Sequence, residues 1–341
     1  MVTTEQSIQV VRASGTPAER GGTIGAACQQ KISISTELYA RMFGMPEAEL
    51  QQQGERYSNI IRDFAPDLAS EIEACAEASG VAAYRLFAMN ARSEILSTVG
   101  IPECTAIGLL PTSVLGQTWD WIDAFENLFV IVSHQFPNGR RILTVTEPGM
   151  LAKIGLNSDG IGVCLNFLNS SRPWSSGIPI HVFLRALLEC SNWESVQRLI
   201  DSQSTGVIGN VLAMSATAGQ VVNIEGAADG AVITVPQGEI FIHTNHYLNL
   251  GPQSDAMALA GNSIGRLEAA QCLSSSLKTF TVEDLKQILS DVDLGPISCP
   301  YTPYAGLQVG TVCAVAMDLR ARALHVRKGP SPNGLFETHY I

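Results

Sequence analysis

The sequence of 341 residues contains little charge, since Asp, Glu, Lys and Arg make up only 16% of it. The 21 basic residues are outnumbered by 32 acidic ones, which gives a net charge of −11, and the basic residues occur singly or in pairs. Binding to nucleic acid or to an anionic membrane requires clustered Lys and Arg, so we expect neither partner. A hydrophobic fraction of 46% indicates a globular chain rather than a disordered one.

Long hydrophobic runs are also missing. A long uncharged stretch, residues 202–224, is interrupted by Ser, Thr, Gln, Asn and Gly, whereas a transmembrane helix needs about 18–20 consecutive apolar residues. The first residues lack the basic and apolar regions of a signal peptide. The last residues match none of the common C-terminal targeting sequences. We therefore expect a cytoplasmic protein without a membrane span.

None of the eight cysteines forms a Cys-x-x-Cys pair or has the spacing to histidine that a zinc site requires. They lie mostly in apolar stretches, which predicts buried, reduced thiols. His243 and His246 are three residues apart, but no nearby carboxylate completes a metal site. Since P-loop, dinucleotide-binding and Ser-elbow motifs are missing too, we expect no metal and no cofactor.

Hydrophobic periodicity divides the chain into alternating helical and extended blocks. We predict a strand and a Gly-rich turn within residues 1–35, and two strands at the C-terminal end. Between them we predict helices at 36–100, extended runs at 104–169, helices at 179–202, strands at 206–244 and helices at 253–292. Such an order predicts stacked layers of sheet and helix. Since the sequence has no Pro/Gly/Ser-rich linker, we expect residues 1–341 to form a single domain.

One predicted hairpin combines a thiol with a carboxylate. A strand beginning at Cys104 leads to a turn around Pro111 and to a return strand in which Asp120 lies between Trp119 and Trp121. The return strand brings Asp120 back beside the start of the first strand. A carboxylate near a thiol is compatible with a nucleophile site, although most such pairs in hairpins are structural.

The hairpin resembles the processing site of the isopenicillin-N acyltransferase family, whose members are N-terminal-nucleophile (Ntn) cysteine enzymes. The family's Cys-Thr start, Leu-Pro turn and Gly-Gln-x-Trp-Asp strand all occur here at matching spacing. Further family segments are matched in order by ERGGTIG (19–25), NARSEI (90–95), GLNSDGIGVCLNFL (155–168) and HTNH (243–246). The resemblance covers nearly the whole chain. It implies an α+β fold, a four-layer αββα sandwich of two antiparallel sheets between helical layers.

Processing in this family cuts the precursor before the nucleophile, which implies cleavage between Glu103 and Cys104. The products would be a small subunit of residues 1–103 and a large subunit of residues 104–341, associated as a heterodimer whose further oligomerisation is left open. Cleavage creates an α-amine with a pKa of about 7.7–8.0, which is suited to act as the general base. The same thiol would then form a thioester with a small amide or acyl-thioester substrate.

The resemblance also implies roles for individual side chains. Asp120 would hold and polarise the new amine and the thiol, the alternative being a buried carboxylate that caps the hairpin. Asn245 would donate to the oxyanion or, alternatively, satisfy backbone groups at a strand end. Thr105 would assist processing, although an ordinary strand role fits it at least as well. The substrate pocket would be lined by Trp119, Trp121, Asn166 and His243.

Three features depart from the family pattern. Glu103 stands where many relatives have Gly, and we expect this larger residue to slow cleavage or to change its geometry. Where the penicillin-forming relatives have Ser-Arg, this chain has Leu307 and Gln308, and no charged residue occurs between Asp293 and Asp318. We therefore expect a substrate other than penicillin. The C-terminus also lacks the peroxisomal ending of fungal penicillin producers.

Two functional hypotheses follow. The first is a self-processing Ntn cysteine enzyme that hydrolyses a linear amide or transfers its acyl group to an amine, with small N-acyl amines as candidate substrates. The second is a non-catalytic, uncleaved binding protein of the same fold. The sequence does not decide whether water or an amine accepts the acyl group.

Overall fold

The computed structural model describes residues 7–98, 104–169, 177–203, 207–227, 230–249, 262–304 and 306–341. The helices are α1 (Pro17–Ala27), α2 (Gln29–Phe43), α3 (Glu47–Phe64), α4 (Pro66–Ser79), α5 (Ala83–Asn90), α6 (Arg92–Ile95), α7 (Ile180–Leu188), α8 (Trp193–Gln203), α9 (Ser263–Ser275) and α10 (Val282–Ile288). The strands are β1 (Val10–Ser14), β2 (Cys104–Leu109), β3 (Val114–Ile122), β4 (Val130–Gln135), β5 (Arg141–Thr146), β6 (Ile154–Asn157), β7 (Ile161–Asn166), β8 (Gly209–Ser215), β9 (Gln220–Ala227), β10 (Gly230–Thr234), β11 (Ile240–His243), β12 (Thr302–Tyr304), β13 (Leu307–Asp318), β14 (Ala323–Lys328) and β15 (Glu337–Tyr340).

These strands form two sheets. The first has the order β1-β4-β5-β6-β7-β8-β9-β10, and β1 runs parallel to β4. The second has the order β11-β2-β3-β13-β14-β15, with β12 paired to β13. All other pairs in both sheets are antiparallel. The hairpin that begins at Cys104 therefore lies inside the second sheet, between β11 and β13.

Each sheet packs against the other sheet on one face and against helices on the opposite face. Strand β7 contacts β2 and β3 across the interface between the sheets, α7 covers β6 and β7, and α10 covers β3 and β13. Successive side chains of a strand point to opposite faces: Cys104 and Ala106 lie in the core between the sheets, whereas Ile107 and Leu109 pack with Leu285 of α10. The four-layer αββα arrangement is confirmed.

The glycine-rich segment 19–25 is helical, so the predicted turn is wrong. Thr16 caps α1 in a capping box with Glu19, and Pro17 occupies the first turn. A Cβ on Gly21 would lie 2.1 Å from the backbone oxygen of Glu71 in α4. This glycine therefore permits close packing of two helices, and the capping signals, rather than the glycines, decide the local structure.

Most of the other predicted blocks agree with the structure. The β4–β5 and β6–β7 hairpins turn at Gly139 and Gly160, whose φ angles are 85° and 84°, as the turn sequences predict. The final pair, β13 and β14, is also confirmed, but β15 at the edge of the sheet was not predicted. Its alternating partly buried and exposed residues carry little hydrophobic signal. Part of the predicted helical block at 253–292, residues 253–261, lies outside the described residues.

All eight cysteines are free thiols, and seven of them are buried. The prediction of burial is wrong for Cys272, which is exposed. It lies on α9, whose buried face is formed by other residues of the helix, among them Arg266 and Ala270. Among the helices of the described ranges, we find none with the length and apolar character needed to cross a membrane.

Candidate active site

Cys104 is the first residue of β2 and pairs directly with Trp119 of β3. Ser113, in the left-handed region with φ 59°, completes the turn between the two strands. Directly opposite residues of an antiparallel pair are close neighbours on one face, so the thiol lies beside the Trp119 side chain. Asp120 is the next residue along β3, and the predicted return of this carboxylate to the start of β2 is confirmed.

The backbone of Cys104 is held by side chains from three other elements. Its N–H donates to Asn245 Oδ1 at 2.6 Å. Its carbonyl oxygen accepts from Asn166 Nδ2 and from Arg266 Nη1, each at 2.9 Å. Asn245 follows β11, Asn166 ends β7 and Arg266 lies on α9. Both sheets and a covering helix therefore converge on Cys104.

Strand pairing explains why Asn245 reaches Cys104. His243, the last residue of β11, is opposite Ala106 in the antiparallel ladder. Two residues further along, Asn245 therefore comes level with the first residue of β2. Its own N–H donates to Ser263 Oγ at 2.7 Å, which anchors the segment to α9.

The amide of Asn245 has a definite orientation. Its Oδ1 accepts from Cys104 N and from Arg266 Nη2 at 2.9 Å, while its Nδ2 donates to the carbonyl of Phe167 at 2.8 Å. This assignment gives both the oxygen and the nitrogen of the amide a partner. In this structure Asn245 is thus an acceptor for Cys104 N–H, and its role as oxyanion donor stays a prediction.

Arg266 is a site residue that the sequence reasoning missed. It is fully buried, and besides Cys104 O and Asn245 Oδ1 it contacts Thr105 Oγ1, with Nη1 at 3.0 Å. A usable signal was present, because Ser263, Arg266 and Ala270 have the spacing of one helix face. Its planar fork lets one side chain orient all three partners at once.

The groups around the Cys104 thiol shift its pKa in opposite directions. Burial raises the pKa of the thiol and the Asp120 carboxylate raises it further, to about 11, although Lys153 and Arg266 act in the opposite direction. Asp120 itself accepts from the Thr311 hydroxyl, with Oδ1 at 2.5 Å. Within the folded chain the thiol is therefore protonated at neutral pH, and any nucleophilic step requires that its proton be removed.

The predicted pocket residues are all buried, and the polar groups of Asn166 and His243 are engaged within the protein. Asn166 donates to the carbonyls of Cys104 and His243. The His243 ring lies between two acceptors, with Nδ1 2.7 Å from Thr244 O and Nε2 2.8 Å from a Glu225 oxygen. Their assignment as substrate-binding residues stays a prediction.

A cluster of buried charges lies against Trp119 and Trp121. Lys153 Nζ is 2.6 Å from Glu147 Oε1 and 3.6 Å from the centre of the Trp119 ring. Arg92 Nη2 is 3.2 Å from the same Glu147 oxygen, and its guanidinium lies 4.3 Å from the Trp121 ring. We call Glu147, Lys153 and Arg92 the Glu147 cluster. None of the three was proposed for the site, although a lysine within the apolar run Leu-Ala-Lys-Ile is a signal of a buried charge.

Comparison with known proteins agrees with this architecture. The profile of the acyl-coenzyme A:6-aminopenicillanic acid acyl-transferase family matches residues 111–330. The chain therefore belongs to this family, and the resemblance inferred from its motifs is confirmed. It is 28% identical, over 343 residues, to the acyl-coenzyme A:6-aminopenicillanic-acid-acyltransferase 40 kDa form of Emericella nidulans, covering 96% of this chain and 94% of that protein.

Two solved structures are similar to this chain, and the first has the same fold. A mutant form of the conjugated bile acid hydrolase from Clostridium perfringens superposes with a TM-score of 0.50 at 12% identity, covering 71% of this chain and 92% of the hydrolase. Penicillin V acylase from Agrobacterium tumefaciens gives a TM-score of 0.46 at 14% identity, covering 68% and 84% of the two chains. At such identity the likeness of the hydrolase concerns the fold alone.

Proposed function

We propose that this protein is a self-processing cysteine amidohydrolase or acyltransferase whose nucleophile is Cys104, released by cleavage between Glu103 and Cys104. The observation that carries the proposal is the 2.6 Å hydrogen bond from Cys104 N to Asn245 Oδ1. The nitrogen held there is the one that leaves during cleavage and becomes the α-amine. Glu103 itself lies outside the described residues.

The processing step uses the contacts around Cys104. The Cys104 sulfur forms a bond to the carbonyl carbon of residue 103, and the carbon–nitrogen bond to Cys104 breaks while the nitrogen gains a proton. Water then hydrolyses the thioester, leaving a carboxylate at residue 103 and restoring the thiol. Asn245 Oδ1 accepts from the nitrogen before and after the cut, so the new amine stays beside the thiol and is positioned to act as its base.

The two products would remain together. Strand β1 precedes the cut but pairs in parallel with β4 inside the first sheet, and α1 packs on α4 within the same small segment. Apolar residues from both segments share one core, for example Val11 with Ile131 and Trp119. We therefore propose a heterodimer of residues 1–103 and 104–341 that is held by burial rather than by the peptide bond.

In the second reaction the thiol would attack the acyl group of a small substrate, and water or an amine would resolve the thioester. The name of the Emericella relative describes acyl transfer involving coenzyme A and 6-aminopenicillanic acid. For this chain we propose a different, linear N-acyl amine. Leu307 and Gln308, which stand where penicillin-forming relatives have Ser-Arg, are exposed at the start of β13, and the arginine beside Cys104 is instead Arg266.

The first test is the intact mass of the purified protein. We expect two chains, residues 1–103 and 104–341, for the wild type and one uncut chain for Cys104→Ala, because alanine has no nucleophile. Cys164→Ala is the matched control, since Cys164 is equally buried on β7, which packs against β2, and it should be cut like the wild type. Cleavage of Cys104→Ala after residue 103 would show that the autoproteolytic mechanism is wrong.

The non-catalytic alternative predicts a different outcome. A binding protein would stay a single chain after long incubation, and Cys104 would resist alkylation. To separate hydrolysis from transfer, the processed protein is incubated with an acyl thioester and an amine acceptor. Formation of free acid without any amide would rule out transfer to that amine.

A further inference from the structure

The proposed processing step requires that the Cys104 thiol ionise before the chain is cut. The new α-amine is the base for later reactions, but it does not exist while the chain is intact. The first ionisation of the Cys104 thiol therefore depends on groups that are already present in the folded precursor.

We propose that the Lys153 ammonium, with Arg92 beside it, is the counter-charge that favours the Cys104 thiolate in the intact chain. Lys153 is thus a positioning residue that acts through electrostatics, with no covalent role. The inference rests on the proposed self-processing function and names a residue that the cleavage mechanism requires.

Geometry places this charge next to the nucleophile. Trp119 is directly opposite Cys104 across the β2–β3 ladder, and Lys153 Nζ lies 3.6 Å from the centre of the Trp119 ring. Lys153 is only 1% exposed, so its charge is poorly screened by water. It lowers the pKa of the Cys104 thiol, against the effect of burial and of Asp120.

The protonated Glu147 cluster contains two positive charges, on Lys153 and Arg92, and one negative charge, on Glu147. Glu147 is the carboxylate that binds both Lys153 and Arg92. Within the described residues, Arg92 Nε and Nη1 have no hydrogen-bond partner. Glu94 does not supply the missing negative charge, because burial raises its pKa to about 8. When Lys153 is protonated, two cations and one carboxylate leave an excess of one positive charge, and an anion at Cys104 would balance it.

The other charged groups around the thiol oppose each other. Asp120 on β3 raises the pKa of the thiol, and Arg266 on α9 lowers it. The neighbouring thiols, Cys164 on β7 and Cys313 on β13, have raised pKa values through burial and are neutral at neutral pH. His181 on α7 lies near Arg92 and Lys153, but burial lowers its pKa well below the usual value, so it adds no positive charge.

The ionisation itself is balanced in protons and charge. The thiol proton passes to bulk water, and the thiolate then attacks the carbonyl carbon of residue 103. Burial and Arg92 lower the pKa of Lys153 to about 7, whereas Glu147 and an anionic Cys104 raise it. Formation of the thiolate therefore strengthens its own counter-charge.

The test follows self-cleavage of the full chain as a function of pH, using freshly synthesised wild-type protein and Lys153→Met. Intact mass gives the cleavage rate, and circular dichroism checks that each chain is folded. We expect Lys153→Met to be cut about tenfold more slowly at and below pH 7, where Lys153 carries its charge, and this deficit to shrink as the pH rises above 7. Lys278→Met, at an exposed lysine, makes the same change in net charge and should match the wild type.

Two further variants keep the test decisive if Lys153→Met does not fold. Lys153→Met with Glu147→Gln retains Arg92 as one excess charge, so its rate of cleavage at pH 7 should stay close to that of the wild type. Adding Arg92→Met removes the last charge without leaving an unpaired buried carboxylate, and the midpoint of the pH profile should then rise by about one unit above that of the double variant.

The outcomes separate the two proposals. If the wild type is cut normally and neither Lys153→Met nor the triple variant shifts the pH profile, the counter-charge is wrong while the self-processing function stands. If the wild type is never cut at any pH, the proposed function itself is wrong. A loss of rate that is equal at all pH values would assign Lys153 a structural role only, and this too would overturn the inference.

Discussion

Two buried groups of charges in this molecule contain similar parts but are balanced differently. The Glu71 cluster joins Glu71 of α4 to Arg20 of α1 and Arg185 of α7. Arg185 binds both carboxylate oxygens, at 2.8 and 2.9 Å, and its Nε also lies 2.8 Å from Glu189. Two arginines thus face two carboxylates. His134 adds no charge, because burial and Arg185 lower its pKa to about 3.

The Glu147 cluster, as far as the described residues show, has no such second carboxylate. Lys153 and Arg92 share Glu147 alone, and both cations lie over tryptophan rings of the strand that pairs with Cys104. A neutral network of forked hydrogen bonds fixes helices to one another, whereas an excess charge beside a thiol changes how that thiol ionises. We infer that the charge balance of a buried ion group, rather than its composition, separates the structural Glu71 cluster from the role proposed for the Glu147 cluster.

Among the variants that test the difference between the two clusters, Glu71→Gln is expected to have the largest effect on stability. Two buried guanidinium groups would lose their main acceptor, and we expect a loss of about 3–5 kcal/mol in the free energy of unfolding. Urea denaturation of the variant and the wild type measures it.

The same variant should leave the chemistry of Cys104 unaltered. Those molecules of Glu71→Gln that are folded should cleave themselves with the pH profile of the wild type. A shifted pH profile would contradict this expectation, because it would mean that both clusters act on the Cys104 thiol.

A smaller effect concerns stability in acid. Burial raises the pKa of Glu71, but the buried guanidinium groups of Arg185 and Arg20 outweigh it and lower the pKa to about 2. Such a carboxyl stabilises the fold above its unfolded pKa near 4.5 and loses this contribution as the pH falls towards 2. The lowered pKa corresponds to about 3 kcal/mol, so the stability of Glu71→Gln should fall less steeply between about pH 5 and pH 2 than that of the wild type. Parallel acid-denaturation curves would contradict the assignment.

The smallest effect is expected at the exposed pair Glu194–Arg198, where both side chains are more than half exposed. Glu194→Gln makes the same chemical change as Glu71→Gln, but water solvates the remaining arginine. We expect the free energy of unfolding to change by less than about 0.5 kcal/mol in urea denaturation. A loss comparable with that of Glu71→Gln would show that burial is not what separates the two sites.

Sequence reasoning identified those parts of the site that local pattern and motif can reveal. The hairpin that brings Asp120 back to Cys104, most of the strand and helix blocks, and the membership of the family were predicted and are confirmed. The turn predicted at residues 19–25 failed because glycine permits helix packing as well as turns, and only the position of α4 against Gly21 distinguishes the two cases. Arg266 and Lys153 were missed because each reaches the surroundings of Cys104 from a distant segment.

The hairpin that begins at Cys104 follows from the sequence alone, because a strand, a Leu-Pro turn and a return strand are local and register follows from their lengths. The sequence also determined the layered class of fold, since hydrophobic periodicity selects helices and strands. Only the tertiary structure decided which groups surround Cys104: Asn245 through pairing of β11 with β2, Arg266 through the docking of α9, and Lys153 through its contact with Trp119. Charges act through space, and their balance exists only once separate segments are buried together.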